Sequence, residues 1–227
     1  MRRQGIGQCA SMQTTDERIQ LILNMARGPA LLHVGCVGGG IPGTSEEESH
    51  HLHFQLVQVF PGAEVVGIDI NADGVNQMLQ RGMNVVQMDA EEMCFSTKFD
   101  TIVAGELIEH LSKPARFLEG CRRALKPRGR MVLSTPNVFS LMYLLMYLKN
   151  FKRAFYSGHA LWFCPQTLTQ TAQRAGFSVI KLVFVDGLCP ELVPSRWYRS
   201  FALCWKLLRL FLPKRFRNTI IAVLEPA

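Results

Sequence analysis

Apolar positions along this chain fall into short runs that alternate with amphipathic stretches. Ile19, Leu21, Ile22, Leu23 and Met25 recur at helical spacing between residues 15 and 27, with Thr14 or Thr15 as a cap and Gly28-Pro29 as a stop. A first strand is predicted over 30–34, a helix from His50 to Phe60 that Pro61-Gly62 ends, and a second strand over 64–68. A short helix over 72–81, a strand over 84–88 and another over 98–103 follow. A helix over 114–125 ends at Lys126-Pro127-Arg128-Gly129, and a fifth strand runs over 130–134. Strands alternating with helices in this way predict a largely parallel sheet covered on both faces.

Past Pro136 the pattern changes. Residues 137–155 are apolar nearly all round at first and basic later, at Lys149, Lys152 and Arg153, as expected of a helical cap inserted over 137–165. A helix over 165–175, a strand over 179–185, a helix over 197–212 and a closing strand over 218–224 at the sheet edge complete the prediction. The fold class expected is α/β: a Rossmann-like, doubly wound, mostly parallel seven-stranded sheet with an antiparallel last strand, as one domain over 1–227 with residues 1–14 as a loose arm.

Charge changes this picture in one place. The net charge is +7, and the window 196–217 holds seven Lys/Arg and no acid. In a helical projection its cations fall opposite Trp197, Phe201, Trp205 and Phe211, the pattern of a helix lying on an anionic membrane surface or covering a sheet. The seven cysteines include no Cys-x-x-Cys pair, so a reducing, cytoplasmic setting is expected; the membrane reading of the basic window adds peripheral attachment to the inner membrane face as an alternative to a helix that covers the sheet. No apolar run reaches the ~20 residues a spanning helix needs. Oligomeric state has no signature in the sequence.

The chemistry centres on residues 31–40, an apolar run entering Gly35-Cys36-Val37-Gly38-Gly39-Gly40, and on Asp69 at the end of the second strand. Ligands of open α/β sheets bind at the carboxyl ends of the strands, where an acid can receive ribose hydroxyls. A hydride-transfer fold asks for Gly-x-Gly-x-x-Gly directly opening a helix. Here Pro42 and Glu46-Glu47-Glu48 follow the loop and would repel a pyrophosphate. No Gly-Lys-Ser/Thr follows either, so a phosphate-free cofactor suits the loop best, with a nicotinamide enzyme as a rival. Asp69 could otherwise cap the helix from Ala72, and Asp89 a short turn. His50 and His53 share a helical face but lack a third ligand, so no metal is expected.

Residues 32–39 resemble the first motif of the class I S-adenosylmethionine-dependent methyltransferases. The segments 99–111 and 125–137 resemble the small-molecule branch that includes the ubiquinone-biosynthesis O-methyltransferases, and the likeness spans about 30–185. The resemblance implies S-adenosylmethionine as cofactor, with His33, Gly35, Cys36, Gly38, Gly39, Asp69, Ile70, Asp89, Ala90 and Glu106 around it. It departs from the family at His33, where an acid is usual, at Val37, where a glycine is usual, and in the longer stretch 41–49. Neutral His33 supplies no countercharge, and Val37 needs an ordinary backbone region.

Methyl transfer is an in-line displacement, so a base is needed only where the acceptor must lose a proton. His110 and His159 are the candidate bases, since imidazole titrates near neutrality. Tyr143, Tyr147, Tyr156 and Trp162 are candidates for the acceptor pocket. The expected acceptor is a small, hydroxylated or lipid-like molecule. A nucleic acid is not expected, because the fourth strand runs into Ala104-Gly105-Glu106-Leu107 without a base-clamping motif. A non-catalytic binding subunit and an RNA or protein methyltransferase are the alternatives.

Overall fold

The computed structural model describes residues 17–148, 158–186 and 211–227. Seven strands form one sheet in the order β3-β2-β1-β4-β5-β7-β6. They are β1 (Ala30–Val34), β2 (Glu64–Asp69), β3 (Val85–Gln87), β4 (Phe99–Gly105), β5 (Leu125–Pro136), β6 (Phe177–Val185) and β7 (Thr219–Pro226). Strands β1 to β5 pair in parallel, and β7 runs antiparallel to both β5 and β6. This is the expected class, with one correction. The closing strand is not at the edge but is wedged between β5 and β6, and its first six residues are buried. An all-apolar run such as Ile220-Ile221-Ala222-Val223-Leu224 needs cover on both faces and partners on both sides.

The helices are α1 (Glu17–Met25), α2 (Ser45–Glu48), α3 (Leu52–Val59), α4 (Ala72–Gln80), α5 (Pro114–Ala124), α6 (Leu141–Leu148) and α7 (Pro165–Arg174). Period-two alternation in the strands divides the core. Leu31, Val65, Val103 and Val132 face α1 and α3, whereas Leu32, Ile68, Ile102 and Met131 share a cluster with Phe117 and Cys121 of α5 and Leu168 of α7. A third cluster ties α4 to the turn after β1 through Cys36, Val37, Phe54, Val75 and Met78. The stretch 41–49, expected as a loop, contains the single turn α2, so the helix expected from His50 starts only at Leu52.

Of the expected cap over 137–165, residues 137–148, which include α6, and 158–165 are described. The basic segment 196–217 and the arm 1–14 lie outside the described residues, except for 211–217, where Lys214–Phe216 form a 3₁₀ turn. Among the described residues no helix is long and apolar enough to cross a membrane.

Candidate active site

The parallel strands β1, β2 and β4 end on one crest, and the turn after β1 crosses it. Gly35 and Cys36 both donate backbone N–H groups to the Ile68 carbonyl, at 2.8 and 3.0 Å. Gly38 (φ 56°) and Gly40 (φ 139°) take left-handed values, so glycine is required there by dihedral, while a Cβ at Gly38, Gly39 or Gly40 would meet only open space.

Asp69 fastens this turn to β2. Its Oδ2 accepts the Val37 N–H and its Oδ1 the Asn71 N–H, each at 2.9 Å. Capping of α4 falls to Asn71, whose Oδ1 accepts the Gly74 N–H at 3.1 Å, so the cap considered for Asp69 is another residue's task. Each Asp69 oxygen keeps a second acceptor site. Asp89 does serve a short turn, accepting the Glu91 N–H at 2.8 Å, and its side chain also faces the crest.

A cleft of about 320 Å³ opens at the crest, within the range of small-molecule sites. Gly35, Asp69, Ile70, Met88, Asp89, Ala90, Leu107 and His110 line it. Ile70 is 68% exposed, an apolar side chain held in water beside the Asp69 carboxylate. An acid for ribose hydroxyls, apolar Ile70, Met88 and Ala90 for a flat base, and a second acid for an exocyclic amine fit a nucleoside.

Five of the ten expected cofactor residues, His33, Cys36, Gly38, Gly39 and Glu106, do not line the cleft. The side chains of His33, 2% exposed, and Cys36 are buried beneath the turn, leaving only their backbone near the crest. Burial, and then the Asp69 charge, push the Cys36 thiol up to about 12. Burial, followed by neighbouring His53, His51 and Arg18, holds His33 well below the ordinary histidine range. Val37 does not crowd the turn. Its side chain, 2% exposed, points into α4 against Gly74, which supplies the space.

At the end of β4 the chain is strained. Glu106 has φ 50°, uncommon for a residue with a Cβ, and its N–H donates to the Ser134 carbonyl at 3.0 Å and hydroxyl at 3.2 Å. A 3₁₀ turn over Ile108–His110 follows and buries Glu109. Burial, and then the charge of Glu106, push the Glu109 carboxyl up to about 8, so it keeps its proton at neutral pH. Its Oε2 meets the Thr135 hydroxyl at 2.8 Å, and its Oε1 has no hydrogen-bond partner among the described residues.

His110 donates Nδ1–H to the Gly158 carbonyl at 2.9 Å, which leaves Nε2 as the basic nitrogen of the neutral ring. His159 lies edge-on to His110 at 4.7 Å between centroids, Trp162 at 5.3 Å from His159, and Tyr143 at 5.8 Å from Trp162. Burial and His110 lower the His159 pKa. Glu109, His110 and His159 each offer a ligand atom within 4.8 Å of the others. The structure therefore places His110 in the cleft lining, sets His159 against His110, and adds Glu109, which sequence reasoning missed. The available signal was an acid directly after the apolar pair Leu107-Ile108. Two imidazoles and a carboxylate are also a donor set for a divalent first-row metal, which the sequence alone did not suggest.

Comparison with known proteins gives the family and the fold. The family model described as a methyltransferase domain matches residues 16–182. A ubiquinone biosynthesis O-methyltransferase of Coxiella burnetii is 29% identical over 175 residues, covering 71% of this chain and 68% of the relative. Among solved structures, the magnesium protoporphyrin IX methyltransferase of Synechocystis with bound SAH superposes with a TM-score of 0.59 at 16% identity, over 92% of this chain and 82% of that one. A SAM-dependent methyltransferase of Archaeoglobus fulgidus gives 0.58 at 20% identity, over 91% and 93%. At these identities the two structures attest the fold.

Proposed function

Because this chain belongs to the methyltransferase domain family and is an enzyme that uses S-adenosylmethionine, we propose that it methylates an oxygen of a small, hydroxylated acceptor carrying an apolar tail. S-adenosylmethionine, when bound, supplies a methyl group activated by a sulfonium. Asp69 would receive the ribose hydroxyls, Asp89 the adenine amine, and Ile70 and Met88 the faces of the base.

The observation that carries the acceptor assignment is the position of His110. It lines the cofactor cleft and also touches His159, beside buried Glu109. A hydroxyl seated there meets a basic imidazole nitrogen within the cleft that holds the methyl donor, which is what O-methylation asks of a protein. The O-methyltransferase relatives support the same chemistry. For the apolar tail, support comes from exposed Phe139, Leu144, Tyr147 and Leu148 on and before α6, with Lys149, Lys152 and Arg153 next in sequence. Apolar side chains followed by cations suit an acceptor drawn from an anionic membrane surface.

A second reading of the same cluster is favoured by the orphaned Oε1 of Glu109. Glu109, His110 and His159 would hold a divalent cation, whose chemistry is to stabilise a deprotonated hydroxyl.

The test is incubation of the full chain with isotopically labelled S-adenosylmethionine and paired phenols, with and without a long alkyl tail. Each incubation is run with chelator and then with zinc or magnesium restored, with products identified by mass spectrometry. Label on the phenolic oxygen, with faster turnover of the tailed member, is expected. Label on ring carbon alone, or on neither phenol, refutes the acceptor assignment, and activity indifferent to chelator refutes the cation. Co-sedimentation with anionic vesicles no better than with neutral ones refutes the membrane source.

A further inference from the structure

Three histidines lie under the cofactor turn, on the side of the sheet away from the cleft. His33 comes from β1, and His51 and His53 from the start of α3. The His33 and His53 rings stack at 5.4 Å with 13° between their planes, and their Nδ1 atoms are 3.3 Å apart. Gly67 of β2 makes the arrangement possible, since a Cβ there would stand 2.8 Å from both the His53 ring and the Cys36 sulfur.

The proton count of this group follows from its contacts. Two facing Nδ1 atoms share one proton, because a second would set N–H against N–H in a buried site. His53 Nε2 is buried with no hydrogen-bond partner among the described residues, so it is best left as a bare lone pair. That makes His53 Nδ1–H the donor and His33 Nδ1 the acceptor. His51 donates Nε2–H to the Val37 carbonyl at 3.1 Å, while its Nδ1 is buried and unpartnered among the described residues. All three rings are therefore neutral. Val37 is gripped from both sides, its N–H by the Asp69 carboxylate and its C=O by His51.

We propose that His33, His51 and His53 are positioning residues that hold the cofactor turn in its binding geometry only while all three are neutral, so that cofactor affinity is linked to pH. This rests on the nucleoside reading of the cleft. The charged and titratable groups facing the trio are Arg18 from α1, Arg81 at the end of α4, Cys36 of the turn and Asp69 of β2. Arg18 and Arg81 both oppose protonation. Burial dominates in every ring, lowering His51 and bringing His53 down to about 4. A released turn would let the rings return to the ordinary histidine range, near 6.5. Protons therefore favour the released state progressively below about pH 6.5. The arrangement also accounts for a histidine where an acid is usual at position 33: it serves the turn from below.

The test is calorimetric titration of the full chain with S-adenosylmethionine and, separately, S-adenosylhomocysteine at pH 7.5, 6.5, 5.5 and 5.0, with far-UV dichroism recorded at each pH. Affinity for both ligands is expected to weaken together, by about tenfold between pH 7.5 and 5.0. Loss for the sulfonium ligand alone overturns the proposal in favour of direct charge repulsion, and a flat profile overturns it outright. Absence of binding at pH 7.5 overturns the nucleoside reading itself and this proposal with it. His51→Gln, which keeps an N–H at similar reach, is expected to bind as the wild type, and His51→Phe severalfold more weakly. Equal affinity of the two variants refutes the His51 contact. Imidazole ¹⁵N shifts assigned to His33, His51 and His53 of the wild-type chain give a reading that needs no variant: all three neutral at pH 6 with S-adenosylhomocysteine bound support the proposal, and any of the three protonated in that state refutes it.

Discussion

Gly74→Ala isolates the packing that lets a valine occupy the cofactor turn. A Cβ at position 74 would lie 2.4 Å from Val37 Cγ1, 2.9 Å from Cγ2 and 3.2 Å from Cβ. Those are atoms of a stiff β-branched side chain that is itself buried, so the clash cannot be relieved by swinging a flexible tip. Overpacking of this kind costs roughly 1–3 kcal/mol. Against it, replacing glycine by alanine in a helix gains about 1 kcal/mol. The single variant should therefore lose on the order of 1 kcal/mol, when helix propensity alone would have it gain that much. Val37→Ala removes both Cγ atoms and leaves only the 3.2 Å contact, which a small shift relieves. In that background Gly74→Ala should keep most of the ~1 kcal/mol gain from helix propensity, giving a coupling of about 2 kcal/mol in a double-mutant cycle. Urea denaturation of the four proteins at pH 7.5 measures it, with S-adenosylhomocysteine affinity reporting whether the turn has moved. Additive effects, or a stabilised Gly74→Ala single variant, would refute the steric pairing.

Asp69→Ala removes a carboxylate that accepts two backbone N–H groups, and should weaken S-adenosylhomocysteine binding by roughly tenfold to a hundredfold in calorimetry, from hydrogen bonds to a charged group worth ~1.5–3 kcal/mol. Global stability should fall on acidification: His53 sits at about 4 in the folded chain and near 6.5 when unfolded, so the unfolded state takes up the proton first as pH drops through that window. The full displacement is worth about 3 kcal/mol, and His53→Leu should flatten urea midpoints measured between pH 7 and 4.5. Glu109 behaves oppositely, since its folded value of about 8 lies above the ordinary carboxyl range. Its contribution is present at low pH and is lost as pH rises toward 8, so the stability of Glu109→Gln relative to wild type should increase between pH 5 and 8.5. A relative stability that stays constant over that interval would contradict the burial argument.

Much of the fold is visible in the chain itself because strand and helix periods are local properties. The glycine turn, the strand ending at Asp69 and the helix stopped by Lys126-Pro127 all announce themselves within a few residues. What escapes is whatever depends on distance along the chain. Gly74 complements Val37 from 37 positions away, His53 meets His33 across 20, and His159 reaches Glu109 across 50. The position of β7 was equally hidden. An apolar run states that a strand is buried, but not which two neighbours it enters between. Asp69 and Asn71 show a finer limit: both residues suit a helix cap, and only the backbone path decides that Asn71 takes that task while Asp69 is left for the turn.

The insertion of β7 between β5 and β6 sets a timetable for folding on the ribosome. The cofactor half, from β1 to β4, can assemble as soon as it emerges, because its strands pair with near neighbours. Strand β5 must wait with its far edge unpaired, and β6 with no strand partner, until residues after 218 arrive. During that interval the open edge of β5 and the unpaired β6 are sites where a chaperone, or a strand from another nascent chain, can engage.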